Sequence, residues 1–180
     1  LPHMHRGGRL LSTLIFSPPG CGKTTVLRDA ARQASYGLGG LAPCRVCIVD
    51  TRYELAGGAD GLTQLDLGPR TDVLSGVGKA AGMRMMICNM APDLLVTDEL
   101  GTAAEALAAR EALCCGVTLL ASAHAGSLGE LAARPAMRSL FIERVFERYI
   151  LLSRERGRIA AAYDGDLRPL RPVESLCSAS

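Results

Sequence analysis

The stretch Ser17–Thr25, SPPGCGKTT, constrains this chain more than any other. It follows the apolar run Leu10–Phe16 and precedes Thr24–Ser35, where apolar residues recur at helical spacing, so it sits where a strand turns into a helix. A tight loop at such a junction lets successive backbone N–H groups converge, and the helix N-terminus adds its positive end. That combination suits the oxygens of a phosphate chain. Gly20 and Gly22 permit the loop, Lys23 adds a point charge for β- and γ-phosphates, and the Thr24 hydroxyl suits Mg2+. Thr25 lines the loop nearer the α-phosphate. The pattern G-x-x-x-x-G-K-[ST] is met except at its first position, where Ser17 stands. The ligand implied for Ser17, Pro18, Pro19, Gly20, Cys21, Gly22, Lys23, Thr24 and Thr25 is a nucleoside triphosphate with Mg2+.

At 180 residues the chain suits one domain with a single sizeable core. Short apolar runs at Leu10–Phe16, Val46–Val49, Leu94–Thr97 and Val117–Ala121 are mostly separated by helical segments, including Ala103–Cys115. That alternation predicts an α/β fold, a mainly parallel sheet with helices on both faces. The Gly-rich stretch between Ala56 and Met83 lacks periodicity and reads as irregular, either a surface insertion or a loop layer over the nucleotide or a subunit contact. Near the end, Tyr149–Ser153 and Ile159–Tyr163 flank Arg156-Gly157-Arg158, which predicts a C-terminal β-hairpin. Residues 164–180, with Pro, Ser and charge, read as a partly ordered tail. Residues 1–8 read as an expression remnant or linker, because Leu1–Met4 looks vector-derived, with a natural N-terminal region removed ahead of it.

The second chemical element is Leu94–Glu99, an apolar run ending in two carboxylates. In a parallel sheet the C-terminal strand ends form the binding crevice. Asp98 would hold the magnesium ion through water, and Glu99 would orient or deprotonate an attacking water. The blander account makes one of these acids a cap for the following helix. A third strand ends in Ser122-Ala123-His124, and His124 either senses the γ-phosphate, holds the water, or simply makes a structural hydrogen bond. After Val46–Val49 come Asp50, Arg52 and Glu54, so Glu54 either assists at the metal or water or pairs with Arg52. From Arg134 to Arg158 seven arginines face three glutamates, a solvated face or a subunit edge offering an arginine to a neighbour's γ-phosphate.

Composition narrows the alternatives. A net charge of +2, 4% aromatic residues and no Trp lend no support to a nucleic-acid partner. The seven cysteines lack disulfide-scaffold spacing and suit a reducing cytoplasm. Cys44 and Cys47 form a CxxC with no second pair for a zinc site, so small buried thiols are the simpler account. No apolar run approaches the roughly 18 residues that cross a bilayer.

The strings SPPGCGKTTVLRD, DTRYELAG, GPRTDVLSGVGKAAGM and MAPDLLVTDELG, followed by ASAH, together resemble the stage III sporulation protein AA family from about Arg9 to Gly157. The resemblance implies a RecA-like P-loop ATPase domain over residues 9–163, similar to the hexameric motors of type II and type IV secretion. It implies Lys23 and Thr24 as the P-loop pair, Asp98 and Glu99 as the Walker B pair, and His124 as the histidine-box residue. It also implies a homo-oligomer, hexameric at full length, cytoplasmic on the mother-cell side of the forespore membrane, energising membrane-embedded channel proteins of a sporulation complex. Two departures stand out: Thr51 replaces the acid of Asp-Glu-Arg, leaving Glu54 as the acidic candidate, and Cys88 stands where a basic residue is usual. Two rival readings are a P-loop kinase for a small acceptor and a nucleotide-binding scaffold with little turnover.

Overall fold

Each apolar run becomes a strand with both faces covered, as parallel pairing through crossover helices requires. The computed structural model describes residues 3–58, 64–155 and 158–171. A short ribbon, β1 (His5–Arg6) with β2 (Arg9–Leu10), precedes β3 (Thr13–Ser17) and α1 (Lys23–Tyr36). Then come β4 (Val46–Asp50), β5 (Thr71–Ser75), α2 (Lys79–Met90), β6 (Leu94–Thr97) and α3 (Ala103–Cys114). The chain continues through β7 (Thr118–His124), α4 (Leu128–Ala133), α5 (Pro135–Ile142), β8 (Arg148–Leu152) and β9 (Ile159–Asp164).

The main sheet runs β5-β4-β6-β7-β3-β8-β9, with β9 antiparallel and the rest parallel. Strand alternation sorts its side chains into two cores. Leu14, Phe16, Cys47, Val49, Leu95, Leu119, Ala121 and Ala123 meet α2, α3 and α5 on one face. Ile15, Val46, Ile48, Leu94, Val96 and Leu120 meet Leu27, Ala30, Ala31 and Ala34 of α1 on the other. Parallel pairing also places the exits of β3 to β8 on one edge, where Ser17 is level with His124 and Val49 with Thr97.

The stretch expected to be irregular between Ala56 and Met83 instead contains β5 and the start of α2. β5 is short, polar and only partly buried, so its stability comes from the ladder with β4 rather than from an apolar pattern. α2 hides its period because Met83, Met85, Met86 and Ile87 follow one another around the helix. Gly82 brings this helix close to the sheet: a Cβ there would lie 2.9 Å from Val49 Cγ1 and 3.0 Å from Val77 Cγ2. The C-terminal hairpin forms as expected, while Arg156 and Gly157 at its turn, Asp60 and residues 172–180 of the tail lie outside the described residues. The described part of the tail folds back, with Leu170 N–H donating to the Ala162 carbonyl at 2.8 Å.

Cys47 is buried in the core, where burial, with Asp72 adding to it, pushes its thiol up to about 11. Its thiol is packed as a small apolar side chain. Among the described residues no group of three His, Cys, Asp or Glu gathers at metal-binding spacing.

Tyr149 is packed between Phe141, with ring centroids 4.9 Å apart, and Phe146, at 6.0 Å, yet its buried hydroxyl has no hydrogen-bond partner. Tyr149→Phe keeps the packing and removes an unsatisfied group, so it should stabilise the fold by up to about 1 kcal/mol, whereas Tyr149→Ala should cost about 3–5 kcal/mol. Urea melts check both, and a destabilised Phe variant would show that the hydroxyl has a partner after all.

Candidate functional site

Between β3 and α1 the loop turns through Gly20 and Gly22, whose φ angles of 79° and 89° lie in the left-handed region that glycine tolerates. The helix that follows carries no acid in its first turn, unlike α3, whose N-terminus is closed by a Thr102–Glu105 capping box. The free N–H groups of α1 are thus left for an anion. Lys23 folds its ammonium into the loop, donating to the Ser17 carbonyl at 3.0 Å, the Pro18 carbonyl at 3.1 Å and the Ser17 hydroxyl at 3.3 Å. Burial lowers the lysine's affinity for its proton, with the field of Cys21 and Glu99 partly restoring it. Ser17, at the position where the motif has glycine, is fully buried at the end of β3 and takes part in holding Lys23.

From Lys23 a line of polar contacts crosses the strand ends. Its Nζ lies 3.1 Å from His124 Nδ1, His124 Nε2 lies 2.6 Å from Glu99 Oε1, and Glu99 Oε2 lies 2.5 Å from an Arg52 nitrogen. An ammonium can only donate, so Nδ1 accepts and Nε2 carries the proton toward Glu99. Arg52 thus pairs with Glu99 rather than with Glu54. Burial alone would raise the Glu99 carboxyl, but the His124 hydrogen bond and the charges of Arg52 and Lys79 outweigh it and hold the group below the usual carboxylate range.

The Glu99 main chain is equally constrained. Its φ of 40° is left-handed, which costs a residue with a Cβ on the order of 1 kcal/mol. Its N–H donates to Ser122 Oγ at 3.0 Å, and its carbonyl accepts from Lys79 Nζ at 2.7 Å. One residue earlier, Asp98 is buried and both of its carboxylate oxygens lack a hydrogen-bond donor. Burial raises its pKa, Lys79 opposes this, and Glu99, Asp50 and Glu54 reinforce it. A buried pair of acceptors without donors fits a hydrated cation, and with no three-ligand cluster among the described residues such an ion would need phosphate oxygens beside Thr24.

Asp50, fully buried, accepts from the N–H groups of Glu54 at 3.0 Å and Ala56 at 2.8 Å and so folds the following loop back. Arg28 of α1 fastens that loop by donating to the carbonyls of Glu54 at 2.6 Å and Leu55 at 2.7 Å. Glu54 thereby reaches the rim of a cleft of about 710 Å³, shared with Pro19, Gly20, Gly22, Lys23, Thr24, Thr25, Val26, Glu99, Ser122 and His124. Asp98 lies outside this lining, and Cys21 turns its side chain into the core. Lys79, Ser122 and Arg28 were not singled out from sequence. The available signal was positional, since Ser122 sits near a strand's C-terminal end and Lys79 opens a helix just after one.

Cys88 lies nine residues beyond Lys79 on α2, about 13 Å along the helix, and lines a separate cleft with Cys44, Asp93 and Thr118 at the opposite sheet edge. A basic residue there would not reach the phosphate side. Most arginines between 134 and 158 are engaged: Arg134 with Glu130, Arg144 with Asp166, Arg158 with Glu155, and Arg148 with the His3 and Glu147 carbonyls. Among the described residues Arg138 and Arg154 make no side-chain hydrogen bond or ion pair.

Residues 1–168 match the family described as sporulation stage III, protein AA, and the chain is 42% identical over 168 residues to the Bacillus subtilis (strain 168) stage III sporulation protein AA. The chain belongs to the stage III sporulation protein AA family. The match covers 92% of this chain and 54% of the Bacillus protein, so the chain spans about half the length of that relative. Among solved structures, the VirB11 ATPase of the Brucella suis type IV secretion system, in complex with sulphate, is similar with a TM-score of 0.59, covering 84% of this chain and 47% of its own at 16% identity. The Legionella pneumophila ATPase DotB gives 0.57, covering 77% and 39% at 17% identity. These likenesses show a RecA-like P-loop fold, the one the sequence resemblance implied for this family member.

The contacts of His124 are directly testable. Nitrogen-15 NMR of the nucleotide-free protein should find Nε2 protonated and Nδ1 bare, and the reverse tautomer would rule out the link from Lys23.

Proposed function

We propose that this domain binds ATP with magnesium in the 710 Å³ cleft and hydrolyses its terminal phosphate through a water positioned by Glu99. The observation that carries this reading is the continuous line from the buried Lys23 ammonium through His124 to Glu99, spanning three strand ends around a loop suited to phosphate. The free N–H groups of the loop and of α1 gather the phosphate oxygens, and Lys23 moves its ammonium from the Ser17 and Pro18 carbonyls onto the β- and γ-phosphates. His124 then loses its Lys23 contact, which frees Nδ1 to meet the γ-phosphate. Each Glu99 oxygen already accepts one hydrogen bond, so its basicity toward a water proton rises when Arg52 or His124 releases it. Magnesium, held by the Thr24 hydroxyl and through water by Asp98, would neutralise charge developing on the phosphates. Glu54 at the rim orients water or metal from the other side.

The family's sporulation name and the secretion ATPases that share the fold support a motor role. We place it in a homo-oligomer, a hexamer at full length, on the cytoplasmic mother-cell side of the forespore membrane, driving membrane-embedded channel proteins. No helix among the described residues is long and apolar enough to cross a membrane. The clamping of both Glu99 oxygens favours a second reading, a nucleotide-binding scaffold with little turnover. Phosphate release separates the two.

Lys23→Ala should abolish ATP binding in calorimetry, and unchanged affinity would remove the loop from the site. Glu99→Gln should still bind ATP while its phosphate release falls by about 10²–10⁴-fold, because the amide keeps the shape and loses basicity; wild-type turnover would reject Glu99 as the base. If Arg138 or Arg154 completes a neighbour's site, specific activity should climb with protein concentration in the wild type and stay flat in the corresponding alanine variant. A flat wild-type profile across the range where oligomers form would count against an arginine acting between subunits.

A further inference from the structure

Lys79 opens α2, on a different element from every residue of the hydrolytic line, yet its ammonium lies at the centre of the Asp98–Glu105 segment. Its side chain is only 9% exposed. Nζ donates to the Glu99 carbonyl at 2.7 Å and lies 3.6 Å from Asp98 Oδ1 and 3.9 Å from Glu105 Oε1. Glu105 is fixed independently, because its Oε2 accepts from the N–H groups of Gly101 at 2.8 Å and Thr102 at 3.0 Å. Among the described residues no other cation pairs with Asp98. One buried charge therefore joins the end of β6, the kink at Glu99 and the cap of α3.

The kink needs such a hold. Glu99 is left-handed at φ 40°, a conformation a residue with a Cβ leaves readily unless its peptide groups are tied. Its N–H is tied by Ser122 and its carbonyl by Lys79. Turning the peptide after Glu99 would break the bond to Lys79 and that of the Leu100 N–H to the Ser122 carbonyl at 2.7 Å, freeing the backbone from which the carboxyl reaches His124. Gly82, one turn beyond Lys79 on the same face of α2, lets the helix come near enough for Lys79 to reach this point.

We propose that Lys79 is a positioning residue of the hydrolytic site, holding the strained backbone of Glu99 so that its carboxylate faces the γ-phosphate side, and supplying the buried counter-charge of Asp98. The catalytic part of this inference rests on the ATP-hydrolysis reading above. Lys79 touches neither the water nor the phosphate, so its loss should alter turnover and leave binding largely intact.

The test compares the wild-type chain with Lys79→Met, which keeps the length and loses the charge, and Lys79→Arg, which keeps the charge and the donors. In Lys79→Met, kcat should fall by about 10²-fold while KM for ATP stays within about threefold, the signature of a displaced group acting in the transition state. Lys79→Arg should recover most of that loss. Hydrogen exchange, with no nucleotide added, should quicken at the amides of Glu99 to Gly101 in Lys79→Met and not in Lys79→Arg. Wild-type kcat in Lys79→Met overturns the proposal. So does a loss of kcat in both variants accompanied by weakened ATP binding and faster exchange throughout the sheet, which is the pattern of a residue needed only for folding. If the wild-type protein releases no phosphate, the hydrolytic reading fails by itself, and exchange still decides the role of Lys79: unchanged Glu99–Gly101 amides in Lys79→Met overturn it.

Discussion

Burying the ammonium of Lys23 without a carboxylate in contact is the constraint on which the rest of this site depends. A desolvated charge needs acceptors, and here they are two backbone carbonyls, a hydroxyl and an imidazole nitrogen. Carbonyl oxygens reach Lys23 because the loop between Ser17 and Gly22 curls around it, and the curl needs left-handed glycines at 20 and 22. The imidazole is available because β7 lies beside β3 in a register that makes His124 level with Ser17. The arrangement is held by neutral dipoles, so a phosphate can draw the lysine away without separating it from a paired anion.

That dependence explains which parts were legible in the sequence. The loop, Lys23, Thr24 and the strand ends at Asp98, Glu99 and His124 all lie in or beside short apolar runs whose pattern reveals both the strand and its exit. Leu94–Thr97 and Ala103–Cys114 fall within a residue of where periodicity put them. β5 and α2 escaped for opposite reasons. β5 is a partly exposed edge strand with too few apolar residues to show alternation, and its hydrogen bonds to β4 are long-range. α2 has apolar residues on nearly all sides and a glycine in its middle, so it shows no helical stripe even though it packs closely. Missing α2 also meant missing Lys79, whose meaning comes only from the turn of chain that it touches.

Two kinds of helix start divide the labour at this sheet edge. α3 satisfies its own first turn through Thr102 and Glu105 and is closed to any anion. α1 has neither a capping side chain nor an acid in its first turn, and its first residues line the cleft. Such an unsatisfied helix end lowers the stability of the isolated fold and raises its affinity for a phosphate by a related amount, because both draw on the same uncompensated dipoles. The stability withheld from the empty loop is available on binding.

Glu99 carries this logic one step further. Its carboxylate is held on one oxygen by His124 and on the other by Arg52, and this lowers its basicity just where the proposed hydrolysis needs a base. Both donors are cations or proton carriers that an incoming γ-phosphate would attract more strongly than a single carboxylate does. In the proposed reaction Lys23 would leave first and free His124 Nδ1, so the weakening of the clamp would start at the loop and travel along the same contacts that built it. Under the proposed hydrolysis, a site organised in this way would suppress water activation while it is empty and gain basicity only when phosphate has displaced the donors. The backbone of Glu99, fixed by Ser122 and Lys79, keeps the carboxylate in place while its partners change.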